Sequence, residues 1–236
     1  MSSDERFESF LREFRPAPPR GRPPALDAAP FDQVVATEQE LREIVGVPSS
    51  RAAQKERPGL DHHCRAFIAR SPFVLMATAG ADGRCDVSPK GDAPGFVRVL
   101  DDHRLVIPDR PGNKRLDGMV NLIANPHVGL IFVVPGRDET LRINGRAWIT
   151  RHPELLREFT VLGKTPLLAI GVEVEQSFLH CAKAFLRSHL WKYDEWPSRD
   201  VLPSMACVLY DQIRPDGLTV QDYERDIEEA NRRRLY

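Results

Sequence analysis

The chain has no surplus of either charge. Lys and Arg together number 33, Asp and Glu 34, for a formal net charge of −1. That excludes a general nucleic-acid binder, which carries a basic excess, but not a local basic pocket for a small anion. No apolar run approaches the ~18–20 residues that a membrane-spanning helix needs. The opening MSSDERFESFLREF lacks the apolar stretch of a secretory signal. Cysteine is scarce: Cys64, Cys85, Cys181 and Cys207 include no CxxC pair, so neither a zinc site nor a thioredoxin-like site is indicated. Reduced thiols in a cytoplasmic protein are expected. His62-His63-Cys64 and His180-Cys181 have no evident third ligand, and no metal site is expected there. There is no GxxxxGK(S/T) phosphate loop, no internal repeat and no long low-complexity stretch.

What is present is ordinary globular material: 236 residues, 42% hydrophobic and 28% charged, enough to bury a core without disulfides. Residues 4–14 have the pattern of a short helix, and the Pro-rich Arg15–Pro30 reads as an extended arm. Thr37 followed by Glu40 is a capping box, with Leu41 and Ile44 starting an apolar face. Asp61 caps a helix that Pro72 ends. From Phe73 the period changes from helix to strand. Strands are expected over 73–78, 85–88, 96–100, 104–107 and 128–134. Alternation continues at Leu141, Ile143, Ala147 and Ile149, with a bulge marked by Gly145, and at Ile170, Val172 and Val174. Asp82-Gly83 is a hairpin signal. Helices are expected over 114–124 and Pro153–Val161, and the tail beyond Pro197 has a helical pattern. Close strand spacing with few helices favours a small antiparallel barrel over βαβ units.

Three segments carry chemistry. In PDRPGNKRLDGMVNLIANP (108–126), Leu116, Met119, Val120 and Ile123 have helical spacing and Asn113 is a good N-cap. Lys114 and Arg115 would then occupy the first turn, where the macrodipole disfavours cations by ~0.3–1 kcal/mol each. Either they point into water, or an anion docks on them and on the free N–H groups, with Arg110 a further donor. In DVSPKGD (86–92), Ser88 and Lys90 share one strand face, either at a solvated strand end or looking into a cleft. In FLHCAKAFLRSHLW (178–191), a helix would align Lys183, Arg187 and Trp191, as a planar anionic ligand or an ordinary amphipathic surface requires.

The ordered set DGRCDVSPKGD, DRPGNKRLDGMVNLIANPHVGLIFVV and ETLRINGRAWIT resembles the pyridoxamine 5′-phosphate oxidase-like family of FMN-binding split barrels. The resemblance covers residues 60–195 and is most specific over 108–150. It leaves 1–59 as an N-terminal extension and 196–236 as a helical C-terminal one. It implies a mainly β fold, a six-stranded Greek-key split barrel that forms a homodimer with FMN at the interface. It further implies an FMN-dependent oxidoreductase acting on a small molecule. A flavin-binding or sensing protein without turnover, and a split barrel holding haem or a deazaflavin, are the alternatives. On this resemblance Asn113, Lys114 and Arg115 bind the phosphate, and Ser88 and Lys90 line the flavin. Thr140 stands where oxidases often carry a Gln that bonds the ring. Lys183, Arg187 and Trp191 reach a flavin from the opposite protomer. Arg187-Ser188-His189 has the Arg-x-His form with which true oxidases hold substrate. The strand motif departs from theirs in lacking the Arg and apolar run before the Lys.

Overall fold

Alternate residues leaving water set the sheet. Phe73–Ala79 (β1) buries Val74, Met76 and Thr78 on one face and turns the residues between them outward, the period of two that a strand imposes. The computed structural model describes residues 33–233 and 235–236; the helix expected over 4–14 and the arm Arg15–Pro30 lie outside them. The chain divides after Ser49 into two units. In the first, helix α1 (Glu38–Val45) starts as expected, with the Thr37 hydroxyl accepting the Glu40 N–H at 3.2 Å.

The second unit runs from Ser50 to Tyr236. Helices α2 (Ser50–Gln54) and α3 (His62–Ile68) precede β1, and Asp61 caps α3 by accepting the Cys64 N–H at 2.8 Å. After β1 come β2 (Cys85–Gly91), β3 (Arg98–Val99), β4 (Arg104–Pro108), helix α4 (Asp117–Ala124), β5 (His127–Val133) and β6 (Thr140–Thr150). Helix α5 (Pro153–Arg157), β7 (Ala169–His180), α6 (Lys183–Ser188), α7 (Met205–Ile213) and α8 (Val220–Arg233) complete it.

All pairings are antiparallel and the strand order is β2-β1-β5-β6-β7-β4-β3. The sheet therefore has seven strands, one for each segment read from the periodicity, rather than the six that the resemblance implies, and its edges β2 and β3 do not pair, so it is not closed. One of those edges is short. Phe96 donates its N–H to the Ala93 carbonyl in a turn, which leaves only Arg98–Val99 of the expected 96–100 strand in register with β4. The expected bulge is present: the β6–β7 register shifts between Asn144 and Gly145. A Cβ on Gly145 would sit 1.9 Å from the Glu173 carbonyl oxygen, so only glycine fits there.

The core lies inside this sheet. Leu105, Ile107, Phe132, Leu141, Ile143 and Ile170 are fully buried, and Ile68 of α3 and Met119 and Leu122 of α4 pack among the same residues. Helix α5 is shorter than the expected Pro153–Val161. It ends at Arg157 and continues as turns in which Phe159 joins Val106, Leu156 and Ala169 in a smaller cluster. No helix among the described residues is long and apolar enough to cross a membrane.

Candidate functional site

Helix α4 is the element that assembles the site, because it lies on β1 and β2. Gly118 in its first turn is packed so closely that an added Cβ would meet Met76 Cε at 3.2 Å and Thr78 Oγ1 at 3.5 Å, with Ser88 Oγ at 3.9 Å. One turn on, Asn121 donates from Nδ2 to Thr78 Oγ1 at 3.1 Å and to Asp86 Oδ2 at 2.8 Å. A polar side chain on the buried side of the helix thus docks it on the sheet. Ser88 stands opposite Met76 and Lys90 opposite Val74 in the β1–β2 register. Both are half-buried on the face that α4 covers. The charge of Lys90 acts on Asp109, whose carboxyl is pushed up by burial and pulled back by that ammonium.

The basic turn departs from expectation. The helix begins at Asp117, with Leu116 as its cap residue, not at Lys114 after Asn113. The Asn113 amide oxygen instead accepts the Arg115 N–H at 3.1 Å in a local turn. Lys114 and Leu116 both take positive φ, 59° and 61°. Lys114 and Arg115 therefore precede the helix rather than occupy its first turn. The acid in its first turn is Asp117, which Arg115 meets from Nε at 2.8 Å. Arg115 is held above its ordinary value by Asp117 first and then by the more distant Asp86. Lys114 is exposed and makes no ion pair among the described residues. The apolar face also differs: Met119 and Leu122 face the core, while Leu116, Val120 and Ile123 are exposed.

Arg110 does not join the turn. Its Nε donates to Asp92 Oδ2 at 2.6 Å and a terminal nitrogen to the Phe159 carbonyl at 2.8 Å. Thr140 opens β6, is buried, and stands opposite His180.

The late segment is not one helix. Strand β7 runs to His180, α6 spans only Lys183–Ser188, and His189 takes φ 53° at its end. Trp191 therefore falls off the helical row of Lys183 and Arg187. Its ring stacks on Phe185 at 5.7 Å and its Nε1 donates to the Arg137 carbonyl at 2.8 Å. His189 Nδ1 lies 2.6 Å from Glu195 Oε2, while Arg187 and Lys183 are exposed. None of their hydrogen bonds reaches the basic turn.

The structure thus puts Ser88 against the first turn of α4, Asn113, Lys114 and Arg115 in the turn just before it and Lys90 within electrostatic reach of Asp109, while Arg110 and the late segment make their contacts elsewhere. Sequence reading missed Asp92, Asp109, Asn121 and Tyr236. Asn121 had a signal, an amide among apolar neighbours in GMVNLIA, and Asp92 sat within DVSPKGD. Tyr236 had none.

Residues 60–181 match the family model described as pyridoxamine 5′-phosphate oxidase. Similar solved structures include a putative pyridoxamine 5′-phosphate oxidase from Lactobacillus delbrueckii, 21% identical over 53% of this chain and 99% of that one, with a TM-score of 0.41. HupZ of Group A Streptococcus is 20% identical over 51% of this chain and 93% of its own, TM-score 0.42. HutZ, a heme storage protein of Vibrio cholerae, is 18% identical over 51% and 94%, TM-score 0.38. No curated protein matches the chain.

Proposed function

The chain belongs to the pyridoxamine 5′-phosphate oxidase family, and on that premise we propose that it is an FMN-dependent oxidoreductase whose basic turn holds the cofactor's phosphate. The observation that carries this reading is Lys114: an exposed ammonium with no ion pair among the described residues, on a left-handed backbone, between the Asn113 amide and the Arg115 guanidinium. The donor chemistry fits a phosphate, since two cations and an amide stand beside the free N–H groups at the start of α4. It does not fit at Arg110, which Asp92 already neutralises.

Bound FMN supplies hydride and electron transfer, and the protein supplies position and electrostatics. Lys114 and Arg115 would bind the phosphate, with Arg115 exchanging Asp117 for it. Ser88 would offer a hydroxyl and Lys90 a positive charge toward the ring, while Thr140, buried and shorter than a Gln, would not reach it as a Gln does. Lys183, Arg187, His189 and Trp191, which share no hydrogen bond with the turn of their own chain among the described residues, would serve a site on a second copy, which would make the working unit a homodimer.

Purified protein should be yellow or take up added FMN. Lys114→Ala with Arg115→Ala should weaken FMN binding by about 2–4 kcal/mol. Colourless protein that ignores FMN would reject the reading, and unchanged affinity in the double variant would move the phosphate elsewhere. Reduction by NAD(P)H and reoxidation by oxygen tests turnover, and its absence would leave a flavin-binding protein. A monomer that binds FMN tightly in sedimentation would sink the shared site.

A further inference from the structure

Arg110 is drawn away from the basic turn by a joint that the flavin reading does not use. The Asp92 side chain is only 3% exposed. Its Oδ2 accepts Arg110 Nε, and its Oδ1 accepts both the Tyr236 phenol at 2.7 Å and the Ala93 N–H at 2.7 Å. Burial pushes this carboxyl up, but the phenol, the Ala93 N–H and the guanidinium outweigh burial and hold it below its ordinary value. The Tyr236 ring lies 5.5 Å from the Arg110 guanidinium carbon, within cation–π range. Lys164 Nζ grips the main-chain oxygen of Tyr236 at 2.6 Å. A residue beyond α8 thereby closes a joint between the end of β2, the end of β4 and the turns after α5.

The location gives the joint its meaning. Asp92 directly follows β2, the strand of Ser88 and Lys90, and Arg110 opens the loop of Asn113, Lys114 and Arg115. From Arg110 to Leu116 the chain has no helix or strand. Two of its residues, Lys114 and Leu116, stand in the left-handed region, which side-chain-bearing residues keep only when the surroundings hold them there. At the start of the loop the holding contacts are the Asp109 N–H to the Leu168 carbonyl at 3.0 Å and the Arg110 side chain itself. We propose that Tyr236 is a positioning residue for the basic turn: by completing the Asp92–Arg110 joint it fixes the 109–116 loop in the shape that presents Lys114. This rests on the reading of that turn as the phosphate site. It assigns Tyr236, beyond α8, a part in ligand binding without touching the ligand.

The test uses the full chain, free of ligand, with and without Tyr236→Phe, which keeps the ring and removes only the hydroxyl. Amide hydrogen exchange over 109–117 should quicken by about tenfold, the scale of one hydrogen bond to a charged group, while β5–β7 exchange is unchanged. Asp92→Asn should reproduce the effect, and adding Tyr236→Phe to it should change little further. FMN titration should show a dissociation constant raised by about three- to tenfold. Unchanged exchange over 109–117, or acceleration spread equally over β5–β7, overturns the assignment. The two readings separate cleanly. If wild-type protein takes no FMN, the phosphate reading falls while the exchange result still decides the joint. If FMN binds wild type and Tyr236→Phe alike and the loop exchanges alike, the joint falls and the phosphate reading stands.

Discussion

Along β6 and β7 the main chain does the holding, while between Asp109 and Asp117 the side chains do. In the first region the register runs unbroken but for one bulge from Thr140–His180 to Thr150–Ala169, and Leu141, Ile143, Ala147, Ile170 and Val172 are out of water. In the second, an Asp92–Arg110 pair, an Asn113 turn and an Arg115–Asp117 pair stand in for a ladder. Water exclusion is non-directional and adds up over area, so the sheet tolerates the loss of one polar contact. The loop has few contacts to lose, and a ligand can reshape it for little free energy.

Five substitutions, two of them followed across pH, probe that contrast. Gly145→Ala strikes the sheet where a Cβ has only backbone to meet. It should destabilise the protein by about 3–5 kcal/mol in urea denaturation, and a loss below 1 kcal/mol would mean that the bulge is not tight. Asn121→Ala releases α4 from Thr78 and Asp86. It should cost about 1–2 kcal/mol and weaken FMN binding with it; an unchanged midpoint would deny the docking role. Leu116→Gly relieves a left-handed leucine and should raise stability by about 0.5–1 kcal/mol, whereas a decrease would show that the leucine packs against something that matters. Smallest is Asp109→Asn. Burial raises the Asp109 carboxyl, so the folded protein holds that proton more tightly than the unfolded chain does and the ionised form costs stability at neutral pH. The variant should be the more stable at pH 7, and its advantage should vanish as the pH falls through the raised value toward the ordinary one. Asp92 has the opposite sign: its carboxyl is depressed, so its contribution is present above the ordinary carboxylate range and is lost as the pH falls through the depressed value. Urea midpoints across pH for wild type, Asp109→Asn and Asp92→Asn separate the two.

The apolar run of β1, the alternation of β6 and β7, the caps at Thr37 and Asp61 and the bulge at Gly145 were legible because each is a local matter of pattern or of one side chain reaching its own backbone. The start of α4 was not. Asn113 is a fine cap by type, but it caps a turn two residues long, and the left-handed Lys114 and Leu116 that delay the helix carry no compositional mark. What favours an anion there is thus Lys114, which has no ion pair among the described residues, and not a pair of cations in the first turn of a helix. The expected helical row of Lys183, Arg187 and Trp191 failed for a related reason: strand β7 runs three residues into the segment and His189 turns left-handed at the end of α6. The Asp92–Tyr236 contact joins residues far apart in the chain, and nothing local announces it.

The bulge has one more effect. In β7 the extra residue is Glu175, for Asn144 pairs with Gln176 and Gly145 with Val174. It sets Glu175 and Gln176 together between the buried Val174 and Ser177, so the same residues in an unbulged strand would invert: Ser177, which now donates to the Gly59 carbonyl from inside, would trade sides with Gln176 and Phe178. A one-codon deletion of Glu175 would straighten β7 and leave Ser177 and His180 on the faces they now occupy, whereas straightening it with all its residues kept would carry His180 and the approach to α6 to the other face.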